Sequence, residues 1–236
     1  MTGPRPHRRP RWLDIVLLAL AGLVFATLIG LGNWQVRRLA WKTDLIAAVE
    51  TRAHGEAVAP PAPPVTAADH AYLRVAVAGR FLHDRSLRVK AVTELGPGFW
   101  LMTPLRGDAG TVWINRGFLP DGADPSRPDG PLRVEGLLRV TEPGGTLLEK
   151  NDPGTGRWVS RDIAAMNAAA GVDAAPGWFL DADQAGPPEG WPRGGMTVID
   201  FRNSHLSYAL TWYAMAALLV AGMAWAIRDR LRDPTG

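Results

Sequence analysis

The chain has five histidines and no cysteine. That restricts its chemistry before any element is placed. His7 lies among N-terminal arginines; His54, His70, His83 and His205 are scattered, and none stands in the H-x-x-x-H or H-E-x-x-H spacing that sets two imidazoles around zinc. Without cysteine there is no disulfide, no thiolate nucleophile and no thiolate-bound metal. His83, Asp84 and Ser86 offer the residue types of a hydrolase, but their spacing fits a hairpin turn, and no G-x-S-x-G elbow occurs. Asn115-Arg116-Gly117-Phe118 closes a strand-like run. An arginine there could take an anion, although a strand-end arginine is more commonly solvated or paired with an acid. His205 stands apart. In FRNSHLSYALTW, residues 201–212, a titratable ring sits where a polar stretch becomes apolar, and a side chain at such a seam costs energy unless something uses it.

The elements around that seam are two apolar runs. Residues 15–31 (IVLLALAGLVFATLIGL) and 206–227 (LSYALTWYAMAALLVAGMAWAI) carry no charge. At about 1.5 Å per residue the second covers roughly 33 Å, enough for a hydrocarbon core of about 30 Å. Starting the first at Trp12 gives it the same reach. Arginines before a first apolar run also describe a signal peptide, but this run is longer than a signal core and ends in GLGNW without a clear cleavage site, so an uncleaved anchor is expected. Asp14 falls in the first helical turn, where the macrodipole favours a carboxylate.

Arg5, Arg8, Arg9 and Arg11 precede the first span, and Arg228, Arg230 and Arg232 follow the second. The positive-inside rule then puts both termini in the cytoplasm and the intervening loop outside. The expected organisation is a basic tail (1–11), a first transmembrane helix (12–32), an extracytoplasmic domain (33–204), a second transmembrane helix (205–227) and a short tail (228–236). The chain has 23 arginines against 3 lysines and no acid-poor, serine-rich import leader, which favours a bacterial inner membrane. The net charge of +3 is largely used by topology, and no basic and aromatic pattern points to nucleic acid.

Residues 34–50 (WQVRRLAWKTDLIAAVE) have helical spacing and continue the first span outward. AVAPPAPP, residues 57–64, stops that helix as a linker or as the entry to the first strand. Strand-like runs follow at 72–81, 86–93, 99–104, 111–118, 132–140 and 178–181, separated by turn residues. One short helix is expected at 161–170, with Ser160 as N-cap and Gly171 as stop. The fold class is therefore a membrane protein in which two transmembrane helices flank a mostly antiparallel β (α+β) domain, a small barrel or sandwich.

Three stretches, GNWQVRRLAWKTDLI from Gly32, VWINRGFLP from Val112 and NSHLSYALTWYAMA from Asn203, resemble the signatures of the Surfeit locus protein 1 family of cytochrome c oxidase assembly factors. The resemblance runs along nearly the whole chain, with GRF at Gly79 and GLLR at Gly136 in the right order. Ser204 stands where a second asparagine is expected. The resemblance implies a non-enzymatic factor that holds haem a or hands it to the catalytic subunit of a haem-copper oxidase, with haem a synthase as a further partner. It also implies His205 as the suspected axial ligand. A cofactor-free scaffold that stabilises an oxidase intermediate is the alternative.

Helical spacing is compatible with such a site. His205, Tyr208 and Trp212 share one face, and Trp34, Arg37, Arg38 and Trp41 share a stripe. A porphyrin takes a neutral imidazole for its iron, aromatic walls for its ring and cations for its propionates. Taken singly, Trp34, Trp41, Tyr208 and Trp212 also suit belt anchoring and helix packing.

Overall fold

A computed structural model describes residues 11–145, 149–183, 190–197, 199, 201 and 203–232. The chain divides into two units, one drawn from Met1–Ala47 and Asp200–Gly236, the other from Ala48–Ile199.

The first unit is helical. Helix α1, Arg11–His54, is one uninterrupted helix of 44 residues whose last turns belong to the second unit. At about 1.5 Å per residue it is roughly 66 Å long, twice a hydrocarbon core, so the helix continues past the first apolar run without a break. Helix α4, Tyr208 among its residues, is His205–Arg232. Both are long and apolar enough to cross a membrane, and their large apolar side chains are exposed, as lipid-facing surface requires. The buried residues form a stripe instead: Leu28, Gly32 and Gln35 on α1, Ala209 and Ala216 on α4. Contacts at Gln35 with His205, and at Asp14 and Ala21 beside Met223 and Ile227, make the pair antiparallel. Small residues permit this approach, since lipid supplies no hydrophobic drive between helices.

The second unit is a closed barrel. Its strands are β1 (Arg74–Phe81), β2 (Leu87–Thr93), β3 (Gly96–Gly107), β4 (Gly110–Pro120), β5 (Leu132–Val140) and β6 (Trp178–Ala182). The order β1-β5-β6-β4-β3-β2, with an added β1–β3 pairing, closes five strands into a ring and leaves β2 on the first half of β3. All pairings are antiparallel except β4 with β6. Closure occurs where β1 and β3 touch: a Cβ at Gly79 would strike the Arg106 carbonyl, and one at Gly107 the Ala78 carbonyl. Two glycines thus make a barrel of what could have been a sandwich. Closing the ring removes its exposed edges.

Alternation of side chains splits the core. Ile114, Leu138 and Leu180 belong to one buried cluster with Val75, Phe81 and Leu105. Trp113 and Phe179, their neighbours in sequence, join Met102 and Trp158 under helix α3 (Ile163–Ala170), which contributes Ile163 and Met166. Helix α2 is the short Ala67–His70 turn before β1.

The strands follow the pattern expected from sequence, and β5 has the same limits. β3 is longer than the expected 99–104, because Gly96-Pro97-Gly98 pairs with β2 rather than turning. The α3 cap differs from expectation. Asp162, not Ser160, caps the helix by accepting from the Ala165 amide at 3.1 Å. Ser160 Oγ instead accepts from Gly145 N and Asn151 Nδ2, both at 3.0 Å. Both residues are good caps, and the loop's demand for an acceptor decides between them. Gly171 stops α3 in the left-handed region, as expected. The proline-rich 57–64 stretch enters the sheet through a Val58–Val75 bridge.

Candidate functional site

His205 is the first residue of α4. Its helix begins with Tyr208 N donating to the Ser204 carbonyl. The ring is half-buried, and Nδ1 lies 2.7 Å from Gln35 Oε1. An amide oxygen can only accept, so Nδ1 carries the hydrogen, and in the neutral ring Nε2 keeps the lone pair. That tautomer is the one a metal-bound imidazole needs, with the outer nitrogen free and the inner one fixed by an acceptor. Gln35 is itself buried, at 8 % exposure, so its amide is held in the helix pair rather than in solvent.

A second polar contact lies beside it. Tyr213 donates to Asn33 Oδ1 at 2.8 Å, and its ring occupies the space where Gly32 lacks a Cβ. Gly32, Asn33 and Gln35 on α1 and His205 and Tyr213 on α4 therefore form a lock at the end of the helix pair. Gln35, Asn33 and Tyr213 were not singled out from sequence. The signal was available: a glutamine and an asparagine within four residues of an apolar span are as unexpected as a histidine there. One more buried donor is near. The Trp212 indole Nε1 is buried with no acceptor among the described residues. A group of that kind fits a site that receives an acceptor from a bound molecule.

The remaining residues of the expected site lie apart from the lock. Trp34 and Trp41 are each 51 % exposed, and Arg37 and Arg38 are exposed too. At about 100° per residue, Trp34 and Trp41 fall roughly 100° to 120° around α1 from Gln35, on one side. They do form the expected stripe. Arg38 stacks on Trp41, its guanidinium carbon 4.0 Å from the ring centroid. Tyr208 is 54 % exposed on α4, whereas Trp212 is half-buried.

The β unit holds a different polar centre. Asp181, 5 % exposed, accepts from Asn115 Nδ2 at 2.8 Å, Thr197 Oγ1 at 3.0 Å, Arg139 Nη1 at 3.2 Å and Arg161 Nη1 at 3.3 Å. Arg161 also forks onto Glu142. Burial alone would pull the Arg161 guanidinium down, but Asp181 and Glu142 outweigh it and raise its pKa above the ordinary arginine value. All four side chains around Asp181 are committed to holding strands and loops together, which makes this a structural centre.

The possible hydrolase group is not assembled. Ser86 Oγ bonds Thr103 Oγ1 at 2.9 Å, while His83 Nε2 faces the Pro128 carbonyl at 3.1 Å, in the turn expected from sequence. Arg116 departs from expectation. It is neither solvated nor at a strand end, being 1 % exposed and four residues inside β4.

Residues 22–217 match the SURF1 family model, a stretch that includes Gln35, Asp181 and His205. Similar proteins include Surfeit locus protein 1 of Mus musculus, 34 % identical over 218 residues, covering 83 % of this chain and 70 % of the relative. Surfeit locus protein 1 of Homo sapiens is 32 % identical over 219 residues, covering 83 % and 72 %. A SURF1-like protein of Monosiga brevicollis is 36 % identical over 211 residues, covering 81 % and 80 %. The chain belongs to the SURF1 family.

Proposed function

We propose that this protein is a membrane-anchored, non-enzymatic assembly factor for haem-copper terminal oxidase, and that it binds haem a through His205 before passing it to the oxidase catalytic subunit. Membership of the SURF1 family supports the assembly role. One observation carries the haem reading: the His205 to Gln35 hydrogen bond, which leaves Nε2 as the free donor atom. Haem a would supply an iron that takes one axial imidazole, and the chain's own residues orient that imidazole. Trp212 offers a buried donor to the bound molecule, and Tyr208, Trp34 and Trp41 offer aromatic surface, with Arg37 and Arg38 as cations for propionates. In this reading the protein lies in a bacterial inner membrane with both termini cytoplasmic and the β unit outside, and haem a synthase is the donor partner.

The test is the visible spectrum of the chain purified from cells that make haem a, with a variant that leaves the ligand in place. Gln35→Leu removes only the acceptor that fixes the ring. Losing such an outer partner weakens metal binding by about 10- to 100-fold. The expected result is a haem a spectrum that persists but needs about 10- to 100-fold more free haem to reach half-saturation. Unchanged affinity in Gln35→Leu would contradict the role given to that bond.

The cofactor-free scaffold has an observation in its favour as well: the exposed Trp34 and Trp41 stripe could face another protein directly. Under that reading His205→Ala retains the oxidase subunit in pull-downs and changes no spectrum, whereas substitutions in the β unit release the subunit.

A further inference from the structure

The proposed function leaves the mouth of the barrel unused. A cavity of about 470 Å³ opens there, beside the closure at Gly79 and Gly107. That is within the range of roughly 300–1,000 Å³ in which ligand pockets fall, and barrel mouths are one of their usual places. Its floor is apolar: Leu105 and Trp178 belong to the first buried cluster, and Val77 and Val112 pack on it. Pro60 and Pro61 form part of the wall, in the segment that enters the sheet at Val58. Residues 173–176 form another part, tied to β4 by Ala175 N donating to the Thr111 carbonyl at 2.8 Å. The cavity is therefore built from elements that the fold already fixes.

One rim of the cavity is a strand edge whose ladder stops short. Val58 N donates to the Arg74 carbonyl at 3.0 Å and Ala76 N to the Val58 carbonyl at 2.9 Å, the two bonds of a parallel bridge. The next residue to pair would be Pro60, which has no N–H to give the Ala76 carbonyl. Ala76, Val77 and Ala78 then line the cavity as far as the closure. An edge carbonyl left without its ladder donor is a template for another main chain. The lining also holds two carboxylates, Asp108 and Asp173, both exposed, and no cation. Arg80 and Arg106, exposed and paired across the closure, alternate with buried Phe81 and Leu105, so they point away from the floor.

We infer that this mouth of the barrel is a docking site for an extended segment of a partner polypeptide. The segment lays its main chain beside Ala76, sets one large apolar side chain on the floor of Val77 and Trp178, and brings a lysine or arginine to Asp108 and Asp173. Each part of the cavity selects this occupant. An apolar small molecule would use the floor and leave the strand edge and the carboxylates unmatched, and an anion would be repelled by both acids. In such a complex the main-chain bonds set the register and the side-chain pocket sets the preference. The surface lies wholly in the β unit and does not depend on the haem reading.

The experiment uses the full chain in phosphatidylcholine nanodiscs at low salt, titrated by calorimetry with the peptide acetyl-Lys-Val-Phe-Val-Lys-amide, with empty discs as the blank. One saturable site per chain is expected, with a Kd on the order of 100 μM. The same peptide with glutamate at both ends should bind at least about 5-fold more weakly. The original peptide should lose a similar factor on the double variant Asp108→Asn/Asp173→Asn, whose exposed substitutions leave thermal melting unchanged. Phenethylamine supplies a ring and a charge without a main chain, and it should bind at least about 10-fold more weakly than the peptide. No saturable binding of the peptide, equal affinity for the two peptides, unchanged affinity in the double variant, or phenethylamine binding as tightly as the peptide would overturn the inference.

Discussion

Replacing Asp181 with alanine is expected to destabilise the β unit by about 3–5 kcal/mol, the cost of breaking a buried ion pair from one side. The effect is large because of what stays behind. Arg161 and Arg139, with side chains 12 % and 23 % exposed, keep their charge and lose the carboxylate they share, and Asn115 and Thr197 lose an acceptor. Arg161 retains Glu142, so the loss is partial for that residue and fuller for the β4 and β6 junction where Asn115 pairs with Asp181. In a unit of this size, melting followed by tryptophan fluorescence should shift down by on the order of 10 °C. Asp181→Asn keeps the shape and one acceptor and should cost less. A melting temperature within about 2 °C of wild type in Asp181→Ala would mean that the arginines are solvated in the unmutated protein.

Gly117→Ala should be comparably damaging for a steric reason. Arg116 and Gly117 together face Leu101 in a β-bulge, the backbone at φ 118° suits glycine, and a Cβ there would fall inside the van der Waals radius of the Arg193 carbonyl oxygen. That oxygen accepts from Phe118 N at 2.8 Å, and Arg193 N returns a bond to the Phe118 carbonyl at 2.9 Å. The methyl group cannot be added without parting the two strands of chain. Backbone strain of about 1–3 kcal/mol and two weakened hydrogen bonds of about 1 kcal/mol each give an expected loss of roughly 3–5 kcal/mol. The segment also carries Trp191, whose ring is 6.1 Å from that of Phe118, so its near-ultraviolet circular dichroism should change as the strand moves. An alanine variant with wild-type melting and an unchanged aromatic spectrum would show that the bulge relaxes freely.

These two residues also show which parts of the fold are legible before a structure exists. Apolar runs without charge and alternating Val, Leu and aromatic positions mark both spans and every strand, because burial and lipid select residue type directly. A glycine at 117 or an aspartate at 181 carries its meaning through a partner remote in sequence, Arg193 in one case and Arg161 in the other. Composition cannot show that pairing. Closure at Gly79 and Gly107 is hidden for the same reason. Arg116 misleads because the bulge that buries it depends on register with Leu101, not on its own neighbours. At the helix pair, His205 is conspicuous from polarity alone. Gln35 is unexpected beside an apolar span too, but its pairing with His205 is legible only once α1 and α4 are known to run antiparallel with those two residues level. The Trp34 and Trp41 stripe lies on the flank of α1 away from Gln35.

We propose that His205, oriented by Gln35, is an axial ligand to haem a. The most direct measurement is the absorption spectrum of the wild-type chain and of His205→Ala, each purified from cells that make haem a. The expected result is a haem a spectrum in the wild type that is absent from His205→Ala, while both proteins melt alike because the β unit is untouched. A colourless wild-type protein, or a pigment retained in full by His205→Ala, would contradict it.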